Sequence, residues 1–227
     1  MKRSQINQAI RRMEEMAKRH GFLLPPFCSF TPTQWETLGT EYDEIRDNML
    51  GWDVTDYGKG DFEKVGFSLI TLRNGNFNLQ ARYQKPYAEK LLYLDEAQYS
   101  PMHFHWSKME DIINRGGGTV LIQVYNATAD DTGFLDTDVL VNKDGRSYTV
   151  KAGTKVRLAP GESITVYPRM YHDFTVEPGS GPVLLGEVSM CNDDVNDNRF
   201  YEPIGRFSSI EEDEPPYRLL CNEYPRA

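Results

Sequence analysis

The chain has 227 residues, of which 39% are apolar and 12% aromatic, so it can bury a sizeable core and general disorder is excluded. Its formal net charge of −9 disfavours nucleic acid as a partner, because phosphate binders carry a basic excess or a basic face. No apolar run approaches the roughly 20 residues that cross a bilayer, so we expect no membrane association. Cys28, Cys191 and Cys221 are widely spaced without a CxxC pair, which predicts free, buried thiols and a cytoplasmic location.

The N-terminal stretch predicts two helices. Ile6, Ile10 and Met13 recur at spacings of three and four, the period of an amphipathic helix over the first twenty residues, with Ser4 as its cap. Thr31 before Pro32 predicts the N-cap and first turn of a second, short helix.

From about residue 65 the pattern predicts strands, because segments rich in β-branched and aromatic residues alternate with turn sequences. Asn74-Gly75 and Asp144-Gly145 are typical of two-residue hairpins. No helical pattern separates the strands, which argues against a parallel βαβ sheet and favours eight or more antiparallel strands in an all-β sandwich or barrel. We therefore expect one domain over 1–227, with a helical and extended region at 1–64, a β-barrel core at 65–191 and a C-terminal loop and tail at 192–227.

The segment PMHFHWSKMED contains two of the four histidines in the chain. In a strand, residues two apart point to the same face, so His103 and His105 aim together while Phe104 faces the other way. A turn at WSKM would let Glu110 approach both imidazoles. Two imidazoles and one carboxylate are a ligand set for a divalent first-row metal, and His172, at the start of a later strand, can reach the same interior point of a barrel.

The stretch HFHWSKMEDIINRGG resembles the first motif of the cupins, which runs H-x-H, three or four residues, E, six residues, G. The resemblance implies a cupin barrel, a jelly-roll fold, with metal ligands at His103, His105, Glu110 and His172. The second motif, around His172, departs from the usual pattern because Met170 stands where glycine is usual.

More of the chain resembles one group of cupins. The N-terminal helix, YAEKLLYLDEAQYSPMHFHWSKMEDIINRGGGTVLIQVYNA, PRMYHDF and NRFYEPIGRF are together similar to the D-lyxose isomerases over nearly the full length. This resemblance implies a metal-dependent aldose–ketose isomerase that converts D-lyxose to D-xylulose, and D-mannose to D-fructose, by proton transfer through an enediol. It also implies Mn²⁺ as the usual ion and a homodimer, although three nitrogens and one oxygen also accept Zn²⁺, Co²⁺ or Fe²⁺.

Three residues are candidates for the chemistry itself. The resemblance favours Glu202 as the proton shuttle, and without it Glu202 would be an exposed loop glutamate. Lys90 and Lys108 are candidates to stabilise the developing oxyanion. Alternation places Lys90 on the face of Leu92, where a lysine either reaches solvent or points into a polar cavity.

The run CNDDVNDNRF has carboxylates and amides suited to sugar hydroxyls, and it is also typical of a solvated turn. We take Asp193, Asp194 and Arg206 as candidate substrate-binding residues. Arg206 has the alternative role of pairing with these acids.

Two other functions fit a cupin metal site: a non-haem iron dioxygenase, and a sugar-binding cupin without catalysis. Glu202 and Lys90 near the metal would favour catalysis over binding alone. The sequence leaves open which aldose and which metal are preferred, and whether hydrogen moves as a proton or by hydride shift.

Overall fold

The computed structural model describes residues 1–205 and 207–226. Its helices lie in the N-terminal quarter: α1 (Arg3–Arg19), α2 (Pro32–Trp35) and α3 (Asp43–Asp47), with 3-10 turns at Pro26–Ser29 and Thr40–Tyr42. The strands are β1 (Gly51–Thr55), β2 (Phe67–Arg73), β3 (Tyr87–Leu94), β4 (Tyr99–His105), β5 (Glu110–Gly117), β6 (Val120–Ala127), β7 (Phe134–Leu135), β8 (Val139–Lys143), β9 (Arg146–Val150), β10 (Lys155–Leu158), β11 (Ser163–Val166), β12 (Met170–Val176), β13 (Val183–Met190) and β14 (Asn198–Phe200).

The strands form two antiparallel sheets that face each other. The larger has the order β1-β2-β3-β13-β5-β11-β8-β9, and the smaller has the order β10-β6-β12-β4-β14, with β7 paired to β6. This is the all-β cupin fold expected from the strand pattern. β1 lies within the stretch that we assigned to helices and extended chain, and β14 lies within the expected C-terminal loop.

Two apolar layers hold the fold together. One lies between the sheets and includes Leu92, Ile122 and Leu185. The other lies on the outer face of the larger sheet, where Leu91 and Leu184 pack in one cluster with residues of α1. Because α1 covers that face, β2, β3 and β13 are buried on both sides and lack the usual polar alternation.

Helix α1 forms where its periodicity predicts, and Ile6, Ile10 and Met13 are buried on one side of it. The prediction that Ser4 caps the helix is wrong, because Lys2 occupies the N-cap position. The backbone N–H and hydroxyl of Ser4 instead donate to the two carboxylate oxygens of Asp213, which ties the C-terminal tail to the helix.

Of the two hairpins predicted from the sequence, the structure contains one. Asp144-Gly145 joins β8 to β9 as a two-residue hairpin, with both residues at positive φ as a type I′ turn requires. The hairpin predicted at Asn74-Gly75 is wrong. There the chain leaves β2 for a long loop before β3, because the buried Asn74 side chain bonds to backbone groups of Asn48 and Asn192 instead of closing a turn.

The three cysteines are free and buried, as predicted. Among residues 1–205 and 207–226, no helix is both long and apolar enough to span a bilayer.

Candidate metal centre and its surroundings

Three imidazoles converge between the two sheets. His103 and His105 lie on β4, and His172 lies opposite His103 on the neighbouring strand β12. One ring nitrogen from each side chain can be chosen so that all three lie within 4.8 Å of one another. The same-face prediction for His103 and His105 is therefore confirmed, and so is the prediction that the later histidine reaches the pair. This group can hold a metal ion.

The backbone sets the orientation of two of these rings. His103 Nδ1 lies 2.8 Å from the carbonyl oxygen of Pro101, and His172 Nδ1 lies 3.0 Å from that of Met170. Since a carbonyl only accepts, each Nδ1 donates, and in a neutral ring Nε2 then carries the lone pair. Such second-sphere hydrogen bonds are what orient histidine ligands in metal sites.

Glu110 completes the cluster at the start of β5. Its Oε1 lies 3.3 Å from His172 Nε2, and its Oε2 lies 3.4 Å from His105 Nε2. His172 Nε2 is buried without a hydrogen-bond partner among the described residues, and the carboxylate oxygen that faces it is Glu110 Oε1. Two acceptor atoms that face each other in a buried site repel, and a cation between them removes the repulsion. The residues present thus fit a divalent metal.

The electrostatics favour neutral imidazoles at His103 and His105 and an ionised carboxylate at Glu110, the forms that bind metals. Burial and the neighbouring rings of His172 and His105 hold the pKa of His103 well below its usual range, so the ring is neutral. Burial and the ammonium of Lys108 lower the pKa of His105 in the same direction. Burial alone would raise the pKa of Glu110, but Lys108 and His105 outweigh it and hold this pKa well below its usual range.

Lys90 and Lys108 both point into the barrel beside the cluster, and each is 3% exposed. Lys108 Nζ lies 2.6 Å from Glu110 Oε2. Burial alone would lower the pKa of Lys108, but Glu110, Glu187 and Asp194 outweigh it and raise this pKa above its usual range. Of the two orientations that we considered for Lys90, its burial and its contact with the cavity fit the inward one.

Glu187 is a site residue that the sequence analysis missed. Its Oε1 lies 3.0 Å from Lys108 Nζ and 3.7 Å from Lys90 Nζ, and it accepts a hydrogen bond from Ser189. The available signal was alternation along β13, because an acid two residues after the buried Leu185 shares its inward face.

Asp197, the third aspartate of the polar run that we considered for sugar contacts, shapes the turn between β4 and β5. Its carboxylate accepts hydrogen bonds from the backbone N–H groups of Ser107 and Lys108 and from the Ser107 hydroxyl. This turn carries Lys108 toward Glu110, so Asp197 positions the lysine without contacting the cluster itself.

The two aspartates that we predicted to bind substrate lie in different surroundings. Asp194 lines the cavity of the histidines, and its Oδ1 lies 3.5 Å from Lys90 Nζ. Asp193 lines a neighbouring cavity, and its carboxylate accepts hydrogen bonds from the backbone of Val195 and Asn196, which shapes the local turn. Arg206 lies outside the described residues.

The structure does not bring Glu202 to the histidine cluster. Phe200, on β14, pairs with His103, and the chain then turns outward. The Glu202 side chain is 73% exposed and lies 3.6 Å from Lys59 Nζ.

Comparisons with known proteins identify the family to which the chain belongs. The family model described as D-lyxose isomerase matches residues 1–224. A D-lyxose/D-mannose isomerase of Serratia proteamaculans is 50% identical over 227 residues, covering 100% of this chain and 99% of that protein. One of Escherichia coli O157:H7 is 47% identical over 225 residues, covering 99% and 98%. The sequence resemblance to D-lyxose isomerases is thereby confirmed.

Among solved structures, an L-ribose isomerase of Cellulomonas parahominis with L-psicose aligns with a TM-score of 0.63 at 15% identity. The alignment covers 93% of this chain and 98% of that one. At this identity the likeness supports the cupin fold and nothing further.

Proposed function

Because the chain belongs to the D-lyxose isomerase family, we propose that it interconverts D-lyxose with D-xylulose, and D-mannose with D-fructose, by proton transfer through an enediol. The observation that carries the proposal is the convergence of three imidazoles and one carboxylate beside two buried lysines. A site that only binds sugar needs no such pair of buried ammonium groups, so this arrangement favours catalysis.

We propose that His103, His105, Glu110 and His172 hold a divalent ion, with Mn²⁺ as the expected metal. When bound, it would supply Lewis acidity toward the sugar oxygens. The hydrogen bonds from His103 and His172 to the backbone would keep their rings in place for this role.

Lys90 and Lys108 would stabilise the negative charge that develops on the sugar oxygen. Both ammonium groups lie in a nearly dry part of the barrel, where a fixed positive charge acts more strongly than it does in water. Glu187 would hold the two lysine side chains in position, because its carboxylate lies close to both.

Glu202 stays our candidate for the proton shuttle, and its support is the family resemblance. Since its side chain is exposed, this role requires the chain after β14 to move toward the cluster. Glu202→Gln should retain metal and sugar binding but lose most turnover. Unchanged turnover would remove Glu202 from the mechanism and leave Glu187, the buried carboxylate next to the lysines, as the next candidate to test.

We also propose a homodimer and a cytoplasmic location. The dimer is supported by four exposed apolar side chains that lie together at one end of the larger sheet: Tyr87, Met109, Val188 and Met190. Met190→Glu should shift the mass measured by light scattering toward a monomer. The location is supported by the three free cysteines.

The main test uses purified protein stripped by a chelator and reloaded with Mn²⁺, Co²⁺, Zn²⁺ or Fe²⁺ in turn. We expect ketose from D-lyxose and D-mannose only after reloading, and deuterium at C2 of the aldose product when D-xylulose reacts in deuterated water. Ketose formation by the fully stripped protein would refute metal dependence, and absence of deuterium would favour a hydride shift.

His172→Ala should abolish both metal binding and turnover. The matched control is His20→Ala, because His20 is an exposed residue at the end of α1. The control should behave as wild type.

A further inference from the structure

A larger cavity adjoins the one that contains the histidines. The histidine cavity measures about 50 Å³, and the neighbouring one about 270 Å³. Asp194 lines both cavities. Asn192, which lines the larger cavity, accepts hydrogen bonds through Oδ1 from Lys90 at 2.5 Å and from Lys108 at 3.3 Å. The two spaces therefore meet at the lysines.

The inner face of the larger sheet also connects the two cavities. Glu187 on β13 lies opposite Lys90 on β3, and Lys90 lies opposite Thr71 on β2. Directly opposite residues share a face, with Cβ atoms about 5 Å apart. Lys90 lines the smaller cavity, and Thr71, which is 4% exposed, lines the larger one. A polar row of Glu187, Lys90 and Thr71 thus crosses from one cavity to the other.

The wall of the larger cavity is held by buried amides. Asn74 donates through Nδ2 to the carbonyl of Asn192 at 3.0 Å and accepts through Oδ1 from its N–H at 2.9 Å. Asn48 in turn donates through Nδ2 to the carbonyl of Asn74 at 3.1 Å. Both Asn48 and Asn74 line the cavity and are nearly fully buried. These bonds give the wall a defined shape, and its amide and carboxylate groups match sugar hydroxyls.

The smaller cavity contains the candidate metal ligands, so the reacting end of an aldose would bind there. It is the narrower of the two, at about 50 Å³ against about 270 Å³. The remaining hydroxyl-bearing carbons can extend past the lysines into the larger cavity, because Asp194 lines both.

We propose that the larger cavity binds the distal carbons of an open-chain aldose, from C4 onward, and that Thr71 helps to set the preference for chain length. This inference rests on the proposed function. D-Mannose repeats the C2–C4 configuration of D-lyxose and adds one hydroxyl-bearing carbon at the far end. The six-carbon sugar therefore reaches further toward Thr71 than the five-carbon sugar does.

The test compares two substitutions of Thr71. Thr71→Leu adds bulk to the cavity, and we expect it to lower the ratio of kcat/KM for D-mannose to that for D-lyxose by about tenfold, the effect of one misfitting carbon in a pocket. Thr71→Val keeps the shape and removes only the hydroxyl, so the ratio should fall by about threefold, in line with one neutral hydrogen bond. The control is Thr149→Leu, because Thr149 is exposed on the distant strand β9; it should leave the ratio unchanged.

An equal loss for both sugars, or no loss for either, would overturn the inference. Should Thr71→Leu fail to fold, Thr71→Val alone decides. If the wild-type protein converts neither sugar, the proposed function fails, and binding then tests the subsite separately. In that case calorimetry with D-mannitol and D-arabinitol, which lack a carbonyl, should show that Thr71→Val weakens the six-carbon polyol more, and equal weakening would refute the subsite.

Discussion

The carboxylate of Glu187 is expected to stabilise the apo protein because it lies between two buried lysines. It is 3.0 Å from Lys108 Nζ and 3.7 Å from Lys90 Nζ, and it is 5% exposed. Glu187→Gln keeps the size of the side chain but removes its charge. The two ammonium groups then lose a partner that water cannot replace.

The size of the expected loss in the free energy of unfolding depends on the partners that Lys90 and Lys108 keep. Removing one partner of a buried ion pair costs roughly 3–5 kcal/mol. Lys108 keeps Glu110 at 2.6 Å, and Lys90 keeps Asp194 at 3.5 Å, so neither is left alone. We therefore expect the lower end, a decrease of about 3 kcal/mol in the free energy of unfolding. For a domain of this size that corresponds to a fall in Tm of roughly 6–12 °C.

The assay is urea unfolding of chelator-treated protein, so that metal binding does not contribute to the stability. Asp138→Asn serves as the control, because Asp138 pairs with Lys151 at 2.7 Å on the surface, where both side chains are more than half exposed. The control should leave the midpoint essentially unchanged. A loss under about 1 kcal/mol for Glu187→Gln, or an equal effect of the two variants, would refute the argument that burial makes the Glu187 interaction strong.

Two further predictions concern the loop after β2 and the C-terminal tail. Gly75→Ala would put a Cβ 1.8 Å from the carbonyl oxygen of Lys85, so it should lower the free energy of unfolding by about 1–3 kcal/mol in the urea assay. Gly133→Ala is the control, because the nearest atom to its Cβ would lie 3.8 Å away, and its unfolding free energy should be close to that of the wild type. Arg3→Met removes the charged hydrogen bonds that the guanidinium donates to Glu212, at 2.6 and 2.8 Å, and to Glu223, both in the C-terminal tail. Because such a bond contributes roughly 1.5–3 kcal/mol, amide hydrogen exchange in the tail should speed up at least about tenfold, and unchanged exchange would show that the tail is held by other contacts.

Several features could be predicted from the sequence because they depend on neighbours along the chain. Strand geometry puts His103 and His105 on one face, and the short turn after them returns the chain to Glu110. The spacing of Ile6, Ile10 and Met13 suffices for α1. The Asp144-Gly145 hairpin likewise follows from two residues that tolerate positive φ.

Other features follow from contacts between distant segments, where local patterns are ambiguous. Asn74-Gly75 has the composition of a hairpin, yet its buried amide bonds to segments on both sides of it in the sequence. Glu202 lies in a polar segment whose composition is typical of an active-site loop. The chain turns outward after β14, however, and leaves the Glu202 side chain in solvent.

The sequence by itself determined the strand-rich architecture, the α1 helix and the residue types of the candidate metal ligands. These features depend on periodicity and spacing between residues that are close together in the chain. Only the tertiary structure decided which groups meet. It places His172 opposite His103, Glu187 beside two lysines and Thr71 next to Lys90, since strand order and register arise from packing the two sheets and α1 around a shared core.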